Sequence, residues 1–218
     1  LGLEATTYAP ASISAGATTT TNGASVSALS WSHTVPAGTN RLLLVTVAHR
    51  DGSKYVSGVT FGGVNLTIRM SSGTSNNSAA IYYLVNPPVG TAPVQVTMSG
   101  PVYVAASATT FTGVNPVSPF SPGAASVGSS TTASVSLPSA VGTVVVSAVA
   151  ANGDAGTLSL LGSGSSFWND GTGTNKNNRR GAAATRPGGG TVTVGQTLSA
   201  SKAWSIVATT LQPGVEAT

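Results

Sequence analysis

Carboxylates are the first side chains to consider, because paired acidic groups carry out much hydrolytic chemistry. A glycosidase, for example, needs two carboxylates that flank one cleft. Asp51 and Asp154 follow matching strands of a repeat described below, but Asp51-Gly52 and Asn152-Gly153-Asp154 are also ordinary turn sequences. We therefore predict turns at both places and no catalytic residues. The chain has only five acidic residues, which are Glu4, Asp51, Asp154, Asp170 and Glu216.

The histidines and serines give no pattern of a metal centre or of a nucleophile. His33 and His49 lie in strand-like segments without the HxH or HExxH spacing of a zinc site, and the chain has no cysteine. The stretch Gly162-Ser163-Gly164-Ser165 lacks the Gly-x-Ser-x-Gly spacing of a nucleophile elbow. We predict a protein that is not an enzyme and that has no metal and no cofactor. Calcium held by loop carboxylates is the alternative that stays open.

Three further residues have side chains suited to a ligand or to a modification. Trp168 opens a polar segment that runs to Arg186, where its ring would either stack on a sugar or close over the core. Asn65 and Asn76 begin N-x-S/T sequons and are candidate glycosylation sites. Because Asn65 lies early in a strand-like run, Asn76 is expected to be the more accessible of the two.

The charge of the chain is unusually low. Only 6% of its residues are charged, against about 25% in a typical globular chain, and the formal net charge is +4. The basic residues cluster only in a Gly/Asn-rich loop around Arg179 and Arg180, so no nucleic-acid partner is predicted. No apolar run approaches the roughly 18 residues of a membrane helix. A surface rich in Ser, Thr and Gly is typical of exported proteins, which predicts an extracellular or cell-surface location.

Short β-branched runs bounded by Gly, Pro, Asn and Ser predict an all-β fold. No window repeats apolar residues with helical spacing. Gly62-Gly63 between two such runs predicts a tight hairpin turn. The predicted strands are 24–34, 41–49, 56–61, 64–71, 79–85, 92–99, 102–112, 133–137, 143–150, 157–161, 190–198 and 203–212.

The chain also contains an internal repeat. Residues 88–96 (PVGTAPVQV) resemble 187–194 (PGGGTVTV), and Ala108-Thr109-Thr110-Phe111 recurs as Ala208-Thr209-Thr210-Leu211. The two copies cover about 24–116 and 133–213. One sheet alone cannot bury its apolar face, so we predict a single jelly-roll-like β-sandwich over residues 24–213. Two separate domains are the alternative.

The first 23 residues lie outside this predicted repeat, and 214–218 form a short C-terminal tail. The N-terminal segment is interpreted as an extra edge strand, a linker, or a strand that pairs with a neighbouring subunit. Its large apolar side chains would then make the subunit contact, and these are Leu1, Leu3, Tyr8 and Ile13.

Several of these runs also resemble a known domain. The runs are 42–45 (LLLV), 59–67 (VTFGGVNLT), 81–88 (IYYLVNPP), 110–114 (TFTGV) and 204–206 (WSI). Together they resemble a jelly-roll-like domain that is widespread in bacterial and archaeal secreted and surface proteins. The resemblance implies a β-sandwich and an extracellular location, and it supplies no catalytic residues.

These observations favour a non-enzymatic structural subunit of an extracellular fibre, filament or surface layer, which assembles by β-strand exchange into a homo-oligomer or polymer. A carbohydrate-binding or adhesion module, with a polysaccharide as partner, is one alternative. A virion decoration or tail protein is another.

Overall fold

The computed structural model describes residues 8–50 and 53–217, and in this part of the chain nearly every segment is a strand. The prediction of an all-β fold is confirmed. No helix in the described part is long and apolar enough to cross a membrane. The elements are β1 (Tyr8–Pro10), β2 (Ser14–Val35), β3 (Leu42–His49), β4 (Val56–Phe61), β5 (Val64–Asn65), β6 (Thr67–Gly73), β7 (Ser78–Val85), β8 (Gly90–Thr112), β9 (Phe120–Ser139), β10 (Val144–Asn152), a 3-10 helix (Gly153–Ala155), β11 (Leu158–Leu160), β12 (Ser165–Gly171), β13 (Arg179–Pro187), β14 (Gly190–Leu211) and β15 (Val215–Ala217).

Two antiparallel sheets repeat the same strand order. The first sheet runs β5-β4-β8-β3-β7-β6, with β2 paired to β8. The second runs β11-β14-β10-β13-β12, with β9 paired to β14. Each strand of the second sheet therefore has a counterpart in the first, and only β5 has none. The internal duplication predicted from the sequence is confirmed at the level of strand pairing.

Each sheet curls around a core of its own. Along β8, Val94, Val96, Val104 and Ala106 are fully buried in one apolar cluster. Every residue of that cluster comes from the first sheet and its connections. A sheet can bury one of its faces against itself only if the sheet folds over. The bend falls between the part of β8 that pairs with β4 and the part that pairs with β3; the second sheet builds an equivalent cluster.

A third apolar cluster joins the two sheets face to face. Strand β3 is buried along its whole length: Leu43 and Val45 point into the first sheet's own core, whereas Leu42 and Leu44 point into the shared cluster. Phe111 from the first sheet and Val207 from the second meet there. Fully burying one such side chain stabilises the fold by about 1.5–3 kcal/mol. This packing confirms the predicted sandwich, and we call its apolar centre the shared cluster.

The N-terminal region pairs within the same chain from residue 8 onward. Strand β1 pairs with β15, and the N–H of Ala11 donates to the carbonyl of Gly214 at 2.8 Å. Residues 14–23 form the first part of β2 and pair with β8, just as the first part of β9 pairs with β14. The predicted boundary at residue 24 thus lies inside a strand. The division of the chain into one domain or two stays a prediction.

Two strands replace part of the predicted polar loop between Trp168 and Arg186, and that part of the prediction is wrong. β12 and β13 occupy 165–171 and 179–187. β13 lies in the second sheet between β10 and β12, and its residues 181–184 (GAAA) are buried. Small side chains suit this position because the shared cluster and the second core press on β13 from both faces.

Candidate functional site

The most distinctive surface of the molecule is a pair of long, uncharged sheet edges. Within the described residues, β2 pairs only with β8, and β9 pairs only with β14, so each presents one side without a partner. These strands are 22 and 20 residues long. Neither contains a Lys, Arg, Asp or Glu. We call them the β2 edge and the β9 edge.

Soluble proteins protect such edges with charge, proline or bulges, because an open edge is a template for pairing with another chain. β9 carries Pro122 and Pro138, whereas β2 has no proline. The β2 ladder has three register shifts, and all of them lie before residue 28. The run 28–35 is regular and uncharged, and it is therefore the least protected stretch of edge.

Polar contacts fix the two edges on opposite sides of the sandwich. On one side β2 packs against β12, and Asn22 Nδ2 donates to Asp170 Oδ2 at 3.0 Å. On the other side β9 packs against β6, where Arg69 Nη2 donates to the carbonyl of Ser121 at 2.6 Å. The Arg69 guanidinium also lies 4.9 Å from the centre of the Phe120 ring. Each edge is thus anchored to the opposite sheet and keeps its outer side open.

The four residues predicted to make a subunit contact have different positions. Tyr8 is in β1, paired with Ala217 of β15. Ile13 is half-buried and packs against the shared cluster. Leu1 and Leu3 lie outside the described residues. The subunit contact itself stays a prediction.

Trp168 is not placed to stack on a sugar. Only 3% of it is exposed, and its ring lies in the shared cluster. Of the two alternatives predicted for Trp168, the structure agrees with closure over the core and not with a sugar contact. The burial follows from β12, a strand that the sequence did not predict. Asn65 and Asn76 are both exposed, although Asn65 was expected to be the less accessible. Their glycosylation stays a prediction.

The acidic residues do not gather into a site in the described part of the chain. Asp154 forms an ion pair with Lys202, with Oδ2 and Nζ 2.7 Å apart. Asp170 accepts from Asn22 and from the N–H of Gly171. Asp51 and Glu4 lie outside the described residues. Among those described, no three His, Cys, Asp or Glu residues come close enough to hold a metal ion.

A buried arginine marks the end of the sandwich where the two sheets meet, and sequence reasoning missed it. Arg179 was expected in a polar loop, yet it begins β13 and is 1% exposed. Its Nη1 donates to Asn152 Oδ1 at 3.2 Å and to the carbonyl of Asn178 at 2.6 Å. The pKa of Arg179 is lowered to about 10, mainly by burial and also by the positive charge of Arg50, while Asp154 acts in the opposite direction. At this pKa the guanidinium keeps its charge at neutral pH.

Asn77, just before β7 of the first sheet, is linked to Arg179 through Asn152. Its side chain is fully buried, and Nδ2 donates to Asn152 Oδ1 and to the carbonyl of Ala203, both at 3.0 Å. Since Asn152 also accepts from Arg179, one amide oxygen joins both sheets. We call Asn77, Asn152 and Arg179 the polar clasp. Its chemistry is structural, because these groups bind one another.

His33 lies inside the first sheet's curl and belongs to a chain of hydroxyl contacts. Its Nδ1 is 2.9 Å from Thr19 Oγ1 and its Nε2 is 2.9 Å from Thr110 Oγ1. Trp31 Nε1 donates to the same Thr19 hydroxyl at 3.0 Å. Burial lowers the pKa of His33 from its ordinary value of 6.5, so the ring is neutral at pH 7.

This lowered pKa predicts a loss of stability in acid. Below pH 6.5 the unfolded chain binds a proton at His33 that the folded chain resists, so the free energy of unfolding falls as pH falls from 6.5 towards the folded-state pKa. Above pH 6.5 this group contributes no pH dependence. Urea unfolding at pH 7.5, 6.0 and 5.0 measures the effect. His33→Gln should flatten the profile in this window, and an unchanged slope would contradict the assignment.

Comparison of the chain with protein-family models, with curated proteins and with solved structures finds no match. The fold and the geometry define the class, an antiparallel all-β sandwich with two uncharged edges. The finer resemblance to a domain of secreted and surface proteins stays a prediction.

Proposed function

We propose that this protein is a non-enzymatic structural subunit of an extracellular fibre, filament or surface layer, and that its copies join through β-strand pairing at the β2 and β9 edges. The carrying observation is that both edges are long, open on one side within the described residues, and without a single charged side chain. Hydrogen bonds to the backbone of a second copy would satisfy the N–H and C=O groups on the open side of each edge.

The composition supports the same function. A chain with 6% charged residues has little self-repulsion to keep copies apart. The exposed side chains on the run 28–35 are small enough to let another backbone approach, and they are Ala28, Ser30, Ser32 and Thr34. Cross-strand pairs of such residues occur within the chain, as between Thr34 and Thr91, whose hydroxyls are 2.7 Å apart.

A pair of lysines on the β2 edge tests the proposal. The double variant Ser30→Lys/Ser32→Lys places two like charges on the regular part of the edge, which is the protection that natural edges use. We expect the wild-type protein to form filaments or sheets, and this variant, whose β9 edge is unchanged, to stop at monomers or dimers. Light scattering after size-exclusion chromatography and negative-stain microscopy measure the difference.

A matched control separates the edge from the surface beside it. Gln95 of β8 is the direct neighbour of Ser30, both side chains are exposed, and Thr97 lies two residues further along the same strand. Because β8 has β2 on one side and β4 on the other, Gln95→Lys/Thr97→Lys adds the same charge without touching an edge. This control should assemble. A wild-type protein that stays monomeric at every concentration would refute the proposal, and so would equal loss of assembly in both variants.

A further inference from the structure

A groove of about 330 Å³ opens beside the first sheet's own core. It lies along β6 and β7 and under the start of β4, where the curled part of the sheet leaves the outer face of β7 uncovered. Its walls include Tyr55, Ile68, Tyr82, Ser71 and Ser72. The volume is in the range of small-molecule sites.

Tyr55 and Tyr82 supply the aromatic surface of this groove. Tyr55 is 63% exposed, yet its backbone is held by Ser99: its N–H donates to Ser99 Oγ at 3.0 Å, and its carbonyl accepts from the Ser99 N–H at 2.9 Å. Tyr82 is 8% exposed and belongs to the first sheet's core. Burial raises the pKa of Tyr82, so its hydroxyl stays protonated and able to donate.

The described lining of the groove offers flat aromatic surface, hydroxyl groups and the imidazole of His49. None of the described residues that line it is Lys, Arg, Asp or Glu. Serine hydroxyls both donate and accept hydrogen bonds. Such a lining suits a ligand that is itself uncharged, carries many hydroxyls and has an apolar C–H face for an aromatic ring to cover. A neutral sugar ring has all three properties.

The second sheet provides a comparison within the same molecule. On β7, Tyr82 is the direct neighbour of Val45, which points into the first core. On β13 the corresponding inward positions beside β10 hold Ala182 next to Val149, Ala184 next to Ser147 and Arg186 next to Val145. The duplicated fold is thus built without a tyrosine at this place. The aromatic lining is a property of the groove and is not required by the strand pattern.

We propose that this groove binds a neutral saccharide, with Tyr55 stacked on one sugar face and Ser71, the β6 serine that lies beside Ala80 on the groove's face, bonded to its hydroxyls. The site is separate from the β2 and β9 edges, and it does not depend on assembly.

Isothermal titration calorimetry with soluble β-glucan, mannan and xylan oligosaccharides tests the site. We expect binding to at least one of them that persists in 0.5 M salt, where the Debye length is well below the roughly 10 Å found at 0.1 M, because the proposed contacts are ring stacking and hydrogen bonds between neutral groups. Tyr55→Ala should weaken that binding roughly tenfold or more through loss of stacking, while Tyr55→Phe should keep most of it.

A tyrosine outside the groove supplies the control. Tyr103 is partly exposed and lines a different cavity beside Arg50 and Lys54, so Tyr103→Ala should bind as the wild type does. Circular dichroism checks that each variant is folded. The proposal is overturned if none of the three saccharides binds, if Tyr55→Ala binds as tightly as the wild type, or if salt abolishes the binding.

Discussion

Replacing Phe111 with alanine is expected to lower the free energy of unfolding by about 3–5 kcal/mol. Phe111 is fully buried in the shared cluster, where its ring lies 6.2 Å from that of Phe167 in an edge-to-face arrangement. Alanine would leave a cavity at the surface that joins the two sheets, and rigid strands on both sides would limit its collapse. Urea denaturation followed by circular dichroism measures the change.

The same denaturation curve shows whether the two sheets unfold together or separately. Because each sheet has its own core, weakening the shared cluster should separate one cooperative transition into two. Val117→Ala is the control, since Val117 is 91% exposed and its truncation should change stability by less than about 0.5 kcal/mol. A loss below about 1 kcal/mol in Phe111→Ala would contradict the role given to the shared cluster.

Replacing Asn77 with alanine should cost about 2–3 kcal/mol. The change removes both hydrogen bonds of Nδ2 and leaves the carbonyl of Ala203 without that donor. It also takes one partner from Asn152, the residue that holds Arg179. Buried polar groups without partners are costly because no water replaces the lost bond.

The neighbouring residue is a close control for this prediction. Asn76 has the same side chain, one position earlier, and it is exposed. Asn76→Ala should therefore leave the free energy of unfolding within about 0.5 kcal/mol of the wild type. Both variants are compared by urea denaturation after expression in a host that does not glycosylate asparagine. Equal effects of the two substitutions would show that the polar clasp does not stabilise the fold.

The sequence predicted those strands whose own composition favours a strand. The run Leu42-Leu43-Leu44-Val45 and the hairpin at Gly62-Gly63 are determined by their own residues. Both turn glycines have the positive φ that such a turn requires, +55° and +83°. β13 was missed because Arg-Arg-Gly-Ala-Ala-Ala has little strand preference. Its conformation is decided by pairing with β10 and β12 and by cores on both faces, which no local pattern records.

The candidate edges were only partly foreseeable. The absence of charge between residues 14 and 35 is visible in the sequence, but the predicted pairing segment rested on residues 1–23 lying outside the repeat. The repeat was begun at residue 24 because residues 24–27 (ASVS) match 133–136 (ASVS). The equivalence of 14–23 with the first part of β9 depends on which strand each pairs with. Similarly, Arg179 reads as a solvated charge until β12 and β13 place it between two sheets.

The duplication determines how many open edges one copy of the protein has. One half supplies β2 and the other β9, on opposite flanks, so under the proposed strand pairing a single copy would have two points of attachment. Were β2 of one copy to join β2 of another, the twofold pair would still display a free β9 at either end. Growth would continue from both ends, and a chain of subunits, not a closed dimer, is the natural product of this geometry.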